Sequence, residues 1–339
     1  MKKFWVMMVC LAVVTGAAFA EDVDAKKTAV VHKSIKMLKD PKTAHDATVT
    51  LVSLKEIAVP QLADTAKSVG EKISIRIDAI DILGDIKSEA ATDAVLVTLK
   101  DSNAKIRRVS AKTLGKIGDA KAIEGLKETL ADFDTETRLC AIKALVAIKG
   151  QSMGDTYLGL INDPDANIRM YAVVGLGDLK EERAVEKLTA MTADLNDDVR
   201  MQIAIALGKI KSKRAVAALN ALSQDRNLSV RREALLAIGD VGDESSVSYL
   251  ITVAERDYKE LRCAAVESLG KIGSKDAVPV LKRLLKDEMI DVRIAAIKAL
   301  AKIDGNQMSG DFKGLLTDES TKVRKEATIA LQGIKENTK

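Results

Sequence analysis

The chain has few of the residues that enzymes use to hold metals, relay protons or form covalent intermediates. Of its 339 residues only two are histidine, His32 and His45, and only three are cysteine. Histidine-ligated metal centres and Ser-His-Asp relays are therefore excluded from everything beyond residue 45. Cys10 falls in an apolar leader, leaving Cys140 and Cys263, which make neither a disulfide framework nor a four-thiolate zinc site. No H-E-x-x-H, C-x-x-C or Walker-type glycine loop occurs. An excess of one charge is missing too. Without Lys2 and Lys3 the 53 Lys and Arg become 51, against 49 acids. Such balance gives no basic face for nucleic acid. Beyond residue 20 no segment is apolar enough to span a bilayer.

The leader has the layout of a secretory signal peptide over residues 1–20. Lys2 and Lys3 precede an apolar run from Phe4 to Val14, and Ala18-Phe19-Ala20 forms an A-x-A cleavage site before Glu21. An uncleaved anchor is the alternative, but about 17 apolar residues interrupted by Thr15 and Gly16 are short for a span. Cys10 has no lipobox before it. The expectation is export to the periplasm or beyond, with no stable membrane insertion after cleavage.

What the chain has is a period. Nine arginines recur every 31 residues, at Arg76, Arg107, Arg138, Arg169, Arg200, Arg231, Arg262, Arg293 and Arg324. A fixed period of this length marks a solenoid, in which each unit touches mainly its neighbours. Other columns keep the register. A β-branched residue usually precedes the Arg, a small residue follows at +3, Leu or Ile at +7, and Ile, Leu or Val at +10. These offsets share one stripe of a helix. Gly118, Gly242 and Gly273 stand at +11, where a left-handed closing residue is wanted, but Lys or Asp replaces Gly in other units, so the stop reads as non-uniform. A second apolar set, such as Val278, Leu281, Leu284 and Leu285, gives a second helix. Asp then stands six residues before the next Arg, at Asp101, Asp132, Asp163, Asp194, Asp225, Asp287 and Asp318, with Gly70 and Arg256 breaking the column.

The pattern D-x-x-x-x-V-R-x-x-A-x-x-A-L-G-x-I-G, clear at Asp225–Gly242 and Asp287–Ile303, resembles the short HEAT repeats of the phycobilisome-lyase type over roughly residues 70–335. The resemblance implies an all-α, right-handed α–α superhelix of about nine helix–turn–helix units. It also implies structural hydrogen bonding along the stack by Asp101/Arg107, Asp132/Arg138, Asp163/Arg169, Asp194/Arg200, Asp225/Arg231, Asp287/Arg293 and Asp318/Arg324. We expect these bonds to join each turn carboxylate to the helix that follows it. Capping by Asp and a solvated Arg head is the alternative. Residues 21–69 read as an irregular helical cap or degenerate repeat, with helices at 24–39, 47–57 and 61–69. Residues 336–339 read as a frayed tail. Lys143–Gly159 matches Lys298–Gly314 at a separation of 155 residues, five units, which suggests an older block duplication.

Two enzyme classes come with the resemblance. HEAT-like hydroxylases hold iron through paired His-Glu motifs, which this chain lacks, and bilin lyases share the repeats without revealing chemistry. No catalytic residue, metal or cofactor is expected. Asp163-x-Asp165-x-Asn167 and Asp194-x-Asn196-x-Asp198 open like calcium loops, but Ile168 and Val199 stand where the loop needs Gly, so they read as turns and caps.

In HEAT-type stacks the Arg-bearing helices line the concave side. Offsets +1, +2, +5 and +9 should face solvent there. The middle units put Leu139, Met170, Tyr171, Val174, Met201, Ile205 and Leu236 at such positions. These residues read either as one strip that receives another protein or peptide, or as packing between repeats. The expected function is an exported protein-interaction scaffold.

Overall fold

The computed structural model describes residues 25–337, and among them there is no strand. The proposed signal peptide lies outside the described residues. The chain divides into two compact units, Met1–Gly150 and Gln151–Lys339.

The first unit holds helix α1 over residues 25–37, α2 (Ala44–Ser53), α3 (Val59–Lys67), α4 (Ile73–Ile86), α5 (Thr92–Thr98), α6 (Ala104–Ile117), α7 (Ile123–Thr129) and α8 (Thr135–Ile148). The second holds α9 (Gly154–Leu160), α10 (Ala166–Asp178), α11 (Val185–Ala190), α12 (Asp197–Ile210), α13 (Val216–Leu222), α14 (Leu228–Val241), α15 (Val247–Arg256), α16 (Lys259–Ile272), α17 (Val278–Leu284), α18 (Ile290–Asp304), α19 (Ser309–Gly314) and α20 (Thr321–Asn337). Long Arg-bearing helices alternate with short ones, and each long helix packs on the next within its unit. The fold is the all-α, α–α superhelical class.

The cap region is helical with shifted bounds. α2 starts three residues earlier than the sequence suggests, and α3 opens at Val59 with Pro60 in its first turn, as α17 opens at Val278 with Pro279. Proline fits there because the first helical N–H groups have no partner to lose. α3 packs on α4 as a short helix of the repeat. The C-terminal tail, read as frayed from 336, remains helical to Asn337.

Helix boundaries follow local chemistry. Asn103, Asp134, Asp165, Asn196 and Asn227 cap the N-termini of α6, α8, α10, α12 and α14 by accepting main-chain N–H bonds. At the other end the stop is more uniform than expected. Gly118, Gly242 and Gly273 have φ of 81°, 73° and 80°, and Lys87, Lys149, Lys180 and Lys211 take the same left-handed conformation at 57°, 57°, 53° and 62°. A lysine can bear that strain, at a cost, because the turn geometry is set by packing on both sides.

Each unit has its own buried row: of the +7 column, Leu83, Leu114 and Leu145 in the first unit and Leu176, Leu207, Ile238, Leu269 and Leu300 in the second are fully buried. Each contributes roughly 1.5–3 kcal/mol by leaving water. A glycine column at +8 sets how near the long helices come. A Cβ placed on Gly115 would stand 2.9 Å from the Ala144 methyl, on Gly177 2.9 Å from that of Ala206, and on Gly270 2.9 Å from that of Ala299. Only hydrogen fits at those contacts.

Tyr157 and Phe312 are the two largest fully buried side chains among the described residues, and they stand 155 residues apart, in α9 and α19. Tyr157 fills the space over Gly175, whose Cβ would meet its ring at 2.4 Å. The two degenerate repeats therefore share a buried aromatic as well as their glycines.

Candidate functional site

The in-register arginines are structural, with a geometry that differs from the expected one. Six of the seven turn carboxylates, all but Asp163, meet the Arg of the preceding repeat, 25 residues earlier. In the first unit Arg107 donates through Nε and Nη2 to Asp132 at 2.6 and 2.9 Å, and Arg76 donates to Asp101 at 2.6 Å. In the second unit Arg169 grips Asp194 at 2.8 and 2.9 Å, and Arg200 grips Asp225 at 2.7 and 3.0 Å. Arg262 meets Asp287, and Arg293 meets Asp318 at 2.9 Å. The Arg six residues after the Asp takes its main-chain carbonyl instead: Arg107 from Asp101, Arg138 from Asp132, Arg169 from Asp163, Arg200 from Asp194, Arg293 from Asp287 and Arg324 from Asp318. The carboxylate misses its own following Arg because Oδ1 turns back to the N–H two residues on, as Asp225 does to Asn227 at 2.8 Å. One guanidinium thus ties together the turn before its helix and the turn of the next repeat.

Titration follows this geometry. Bonds from Arg107 hold the Asp132 carboxyl below its ordinary range. Burial pulls Asp194 and Asp225 upward, but Arg169 and Arg200 with main-chain N–H groups outweigh it, and both end lowered. Asp165 is a cap, bonded to the N–H groups of Asn167 and Ile168, and Asp194 belongs to Arg169. The calcium-like stretches are turn and cap structure.

The two breaks in the Asp column coincide with longer short helices. Arg76 follows α3, of nine residues, and Arg262 follows α15, of ten, where the regular units have six or seven. In both, the Arg Nε donates to a carbonyl of that helix, Ala66 or Ala254, at 2.9 Å. Arg231, whose partner position holds Arg256, stacks on the Tyr258 ring at 5.7 Å from its centroid.

Of the apolar strip, Leu139 belongs to the first unit and is 9% exposed, among the core side chains. Met170, Tyr171, Val174, Met201, Ile205 and Leu236, in the second unit, are half-buried on the consecutive helices α10, α12 and α14. The close glycine contacts explain this. They draw the long helices together until +1, +2 and +5 flanks lean on their neighbours, and +9 is left as the most exposed column.

That +9 column carries a second row of ion pairs which the sequence reading missed. Lys116 reaches Asp85 at 2.7 Å in the first unit; Lys209 reaches Asp178 at 2.7 Å and Lys271 reaches Asp240 at 2.9 Å in the second. Asp and Lys alternate at a spacing of 31 residues, a signal the arginine column overshadows. In the second unit the apolar flanks therefore lie beside a charged border.

Other chemistry-bearing groups give no site. Cys140 and Cys263 are free, and burial pushes both thiols up, away from the reactive thiolate. His32 bonds the Thr28 carbonyl of its own helix at 3.0 Å. Gly150-Gln151-Ser152-Met153-Gly154 fits the letters of an esterase nucleophile elbow, but that elbow joins a strand to a helix, whereas Ser152 sits in a 3-10 turn leading into α9. Among the described residues no group of three or more His, Cys, Asp or Glu could hold a metal ion. No described helix is long and apolar enough to cross a membrane.

Paired helices in register, an interlocking Arg–Asp row and a glycine-spaced inner face define an α-solenoid. The HEAT-repeat family model matches residues 59–145, 123–206, 190–259 and 250–332, and the chain belongs to the HEAT-repeat proteins. No curated relative matches it. Solved structures of similar fold include an engineered protein, 19% identical over 90% of this chain and 99% of its own, with a TM-score of 0.54. The Escherichia coli protein YibA is 20% identical over 76% of this chain and 96% of its own, with a TM-score of 0.56. Kap95p, solved with RanGDP, is 11% identical over 93% of this chain and 50% of its own, with a TM-score of 0.66. The chain thus spans half the length of Kap95p.

Proposed function

We propose that this protein is an exported scaffold that binds another protein or peptide on the face formed by α10, α12 and α14. The observation that carries this reading is the cluster of Met170, Tyr171, Val174, Met201, Ile205 and Leu236 on consecutive helices, beside the border of Asp178, Lys209 and Asp240. An apolar area rimmed by charge suits a partner surface, and methionine adapts to varied contacts. The solenoid fold supports the reading, as does Kap95p, a protein of similar fold solved in a complex with RanGDP. The leader, with Lys2, Lys3 and Ala18-Phe19-Ala20, supports export. The resemblance to repeats of the phycobilisome-lyase type supports reading the units as short HEAT repeats and brings no chemistry with it.

The test is affinity capture from the native host's periplasm with the wild-type chain and with a Met170→Glu, Val174→Glu, Met201→Glu variant. The wild type should retain a discrete partner, and the variant should lose it while keeping its helical circular dichroism. Undiminished capture by the variant excludes this face.

A further inference from the structure

A second surface stands out in the second unit. Of its six large exposed apolar side chains among the described residues, four lie in the turns and first helical residues that lead into successive Arg-bearing helices: Leu195 at 91% exposure, Leu228 at 40%, Tyr258 at 66% and Ile290 at 40%. One stands at each of four consecutive repeats, on the edge where the N-termini of α12, α14, α16 and α18 emerge. Of these only Tyr258 has a ring contact already described, with Arg231. The interlocking turn below is built by Asp, Asn and Arg, and the corresponding turn entering α6 carries Ser102 and Asn103.

The edge is also acidic. The turn segments 195–198, 226–229, 257–260 and 288–291 hold six carboxylates against two cations, Arg226 and Lys259, which pair with Asp197 and Asp291 and leave Asp198, Asp257, Glu260 and Glu288 in excess. Apolar anchors in an acidic surround call for an apolar and basic partner.

Spacing selects the partner's conformation. Packed helices lie about 8–10 Å apart, so the anchors recur at about that interval. An α-helix rises about 1.5 Å per residue, and seven residues advance about 10.5 Å while returning to the same face. A β-strand advances about 10 Å in three residues but then presents the opposite face. The anchors also scatter, three to five residues before their Arg, which suits the broad apolar stripe of a helix better than a single line of contacts.

We propose that this edge docks a basic amphipathic α-helix whose apolar side chains repeat every seven residues. The surface is separate from the α10–α12–α14 face and does not depend on it.

The probe is a synthetic, fluorescein-labelled peptide of about 22 residues, four anchors at seven-residue intervals, with Leu at the anchor and adjoining stripe positions and Lys and Ala elsewhere. Fluorescence anisotropy with the full chain should show saturable binding that weakens with salt. Leu195→Ser, Leu228→Ser and Ile290→Ser together should weaken it at least about tenfold, as three lost apolar contacts require. These positions are exposed, so the variant should keep its melting temperature. A peptide with Glu for Lys should not bind. The proposal is overturned if the peptide does not saturate, if the triple Ser variant binds it as well as wild type, or if a Pro-rich peptide with Leu at every third residue binds equally. Loss of binding in the Met170→Glu, Val174→Glu, Met201→Glu variant but not in the Ser variant also overturns it, while leaving the reading of the helix face standing.

Discussion

Gly208 lies so near Ala237 that a Cβ on the glycine would stand 2.8 Å from the alanine methyl. α12 and α14 are in contact through backbone at that point. Gly208→Val should push the helices apart and open space along the buried Leu207 and Ile238 row. A loss of about 1–3 kcal/mol is expected from overpacking, against near-neutrality for Gly242→Asn at the left-handed turn. Thermal unfolding followed at 222 nm measures both.

Arg200 is 5% exposed and Asp225 10% at their side chains, and they are joined by two bonds. Removing one partner strands the other in a dry turn. Arg200→Met should cost about 3–5 kcal/mol. Arg200→Met with Asp225→Leu should recover part of that loss, since the stranded charge has gone. A double variant no more stable than the single one contradicts the pairing.

Lys211 closes α12 with φ of 62°, where Gly242 closes α14 at 73°. Lys211→Gly relieves left-handed strain and adds flexibility to the unfolded chain, for a net gain of up to about 1 kcal/mol. Gly273→Lys should show the reverse sign in chemical denaturation.

Acid should weaken the stack. Arg107 holds Asp132 low, and despite burial Arg169 and Arg200 do the same for Asp194 and Asp225. A carboxyl with a lowered folded pKa stabilises fully above its unfolded value of about 3.9 and loses that contribution as pH falls through the folded value. The melting temperature should be level above about pH 5 and fall below about pH 4. Asp225→Asn should start lower at neutral pH and fall less steeply.

Much of this fold was legible because a 31-residue period repeats the same physical demand nine times. The +7 Leu column and the short apolar helices needed only helical spacing. The partner of each carboxylate was not legible: Asp225 is six residues from Arg231 but 25 from Arg200, and only the turn of its own backbone decides between them. The glycine at +8 was visible in the motif, yet its meaning depends on a neighbouring helix 29 residues on, as Gly208 shows with Ala237. The like contact of Gly177 with Ala206 draws α12 onto α10, where Met170 is half-buried. Helical offsets taken one helix at a time do not include the cover given by the next. The Asp178–Lys209 row was open to the same column reading that found the arginines.

The binding face is tested most directly by a photo-crosslinking residue placed at Val174 on α10, compared with one at Ala217, an exposed position on the short helix α13. Irradiation in the native host should join Val174 to one discrete protein and leave Ala217 without that product. Equal products from both positions, or none from Val174, would contradict the account.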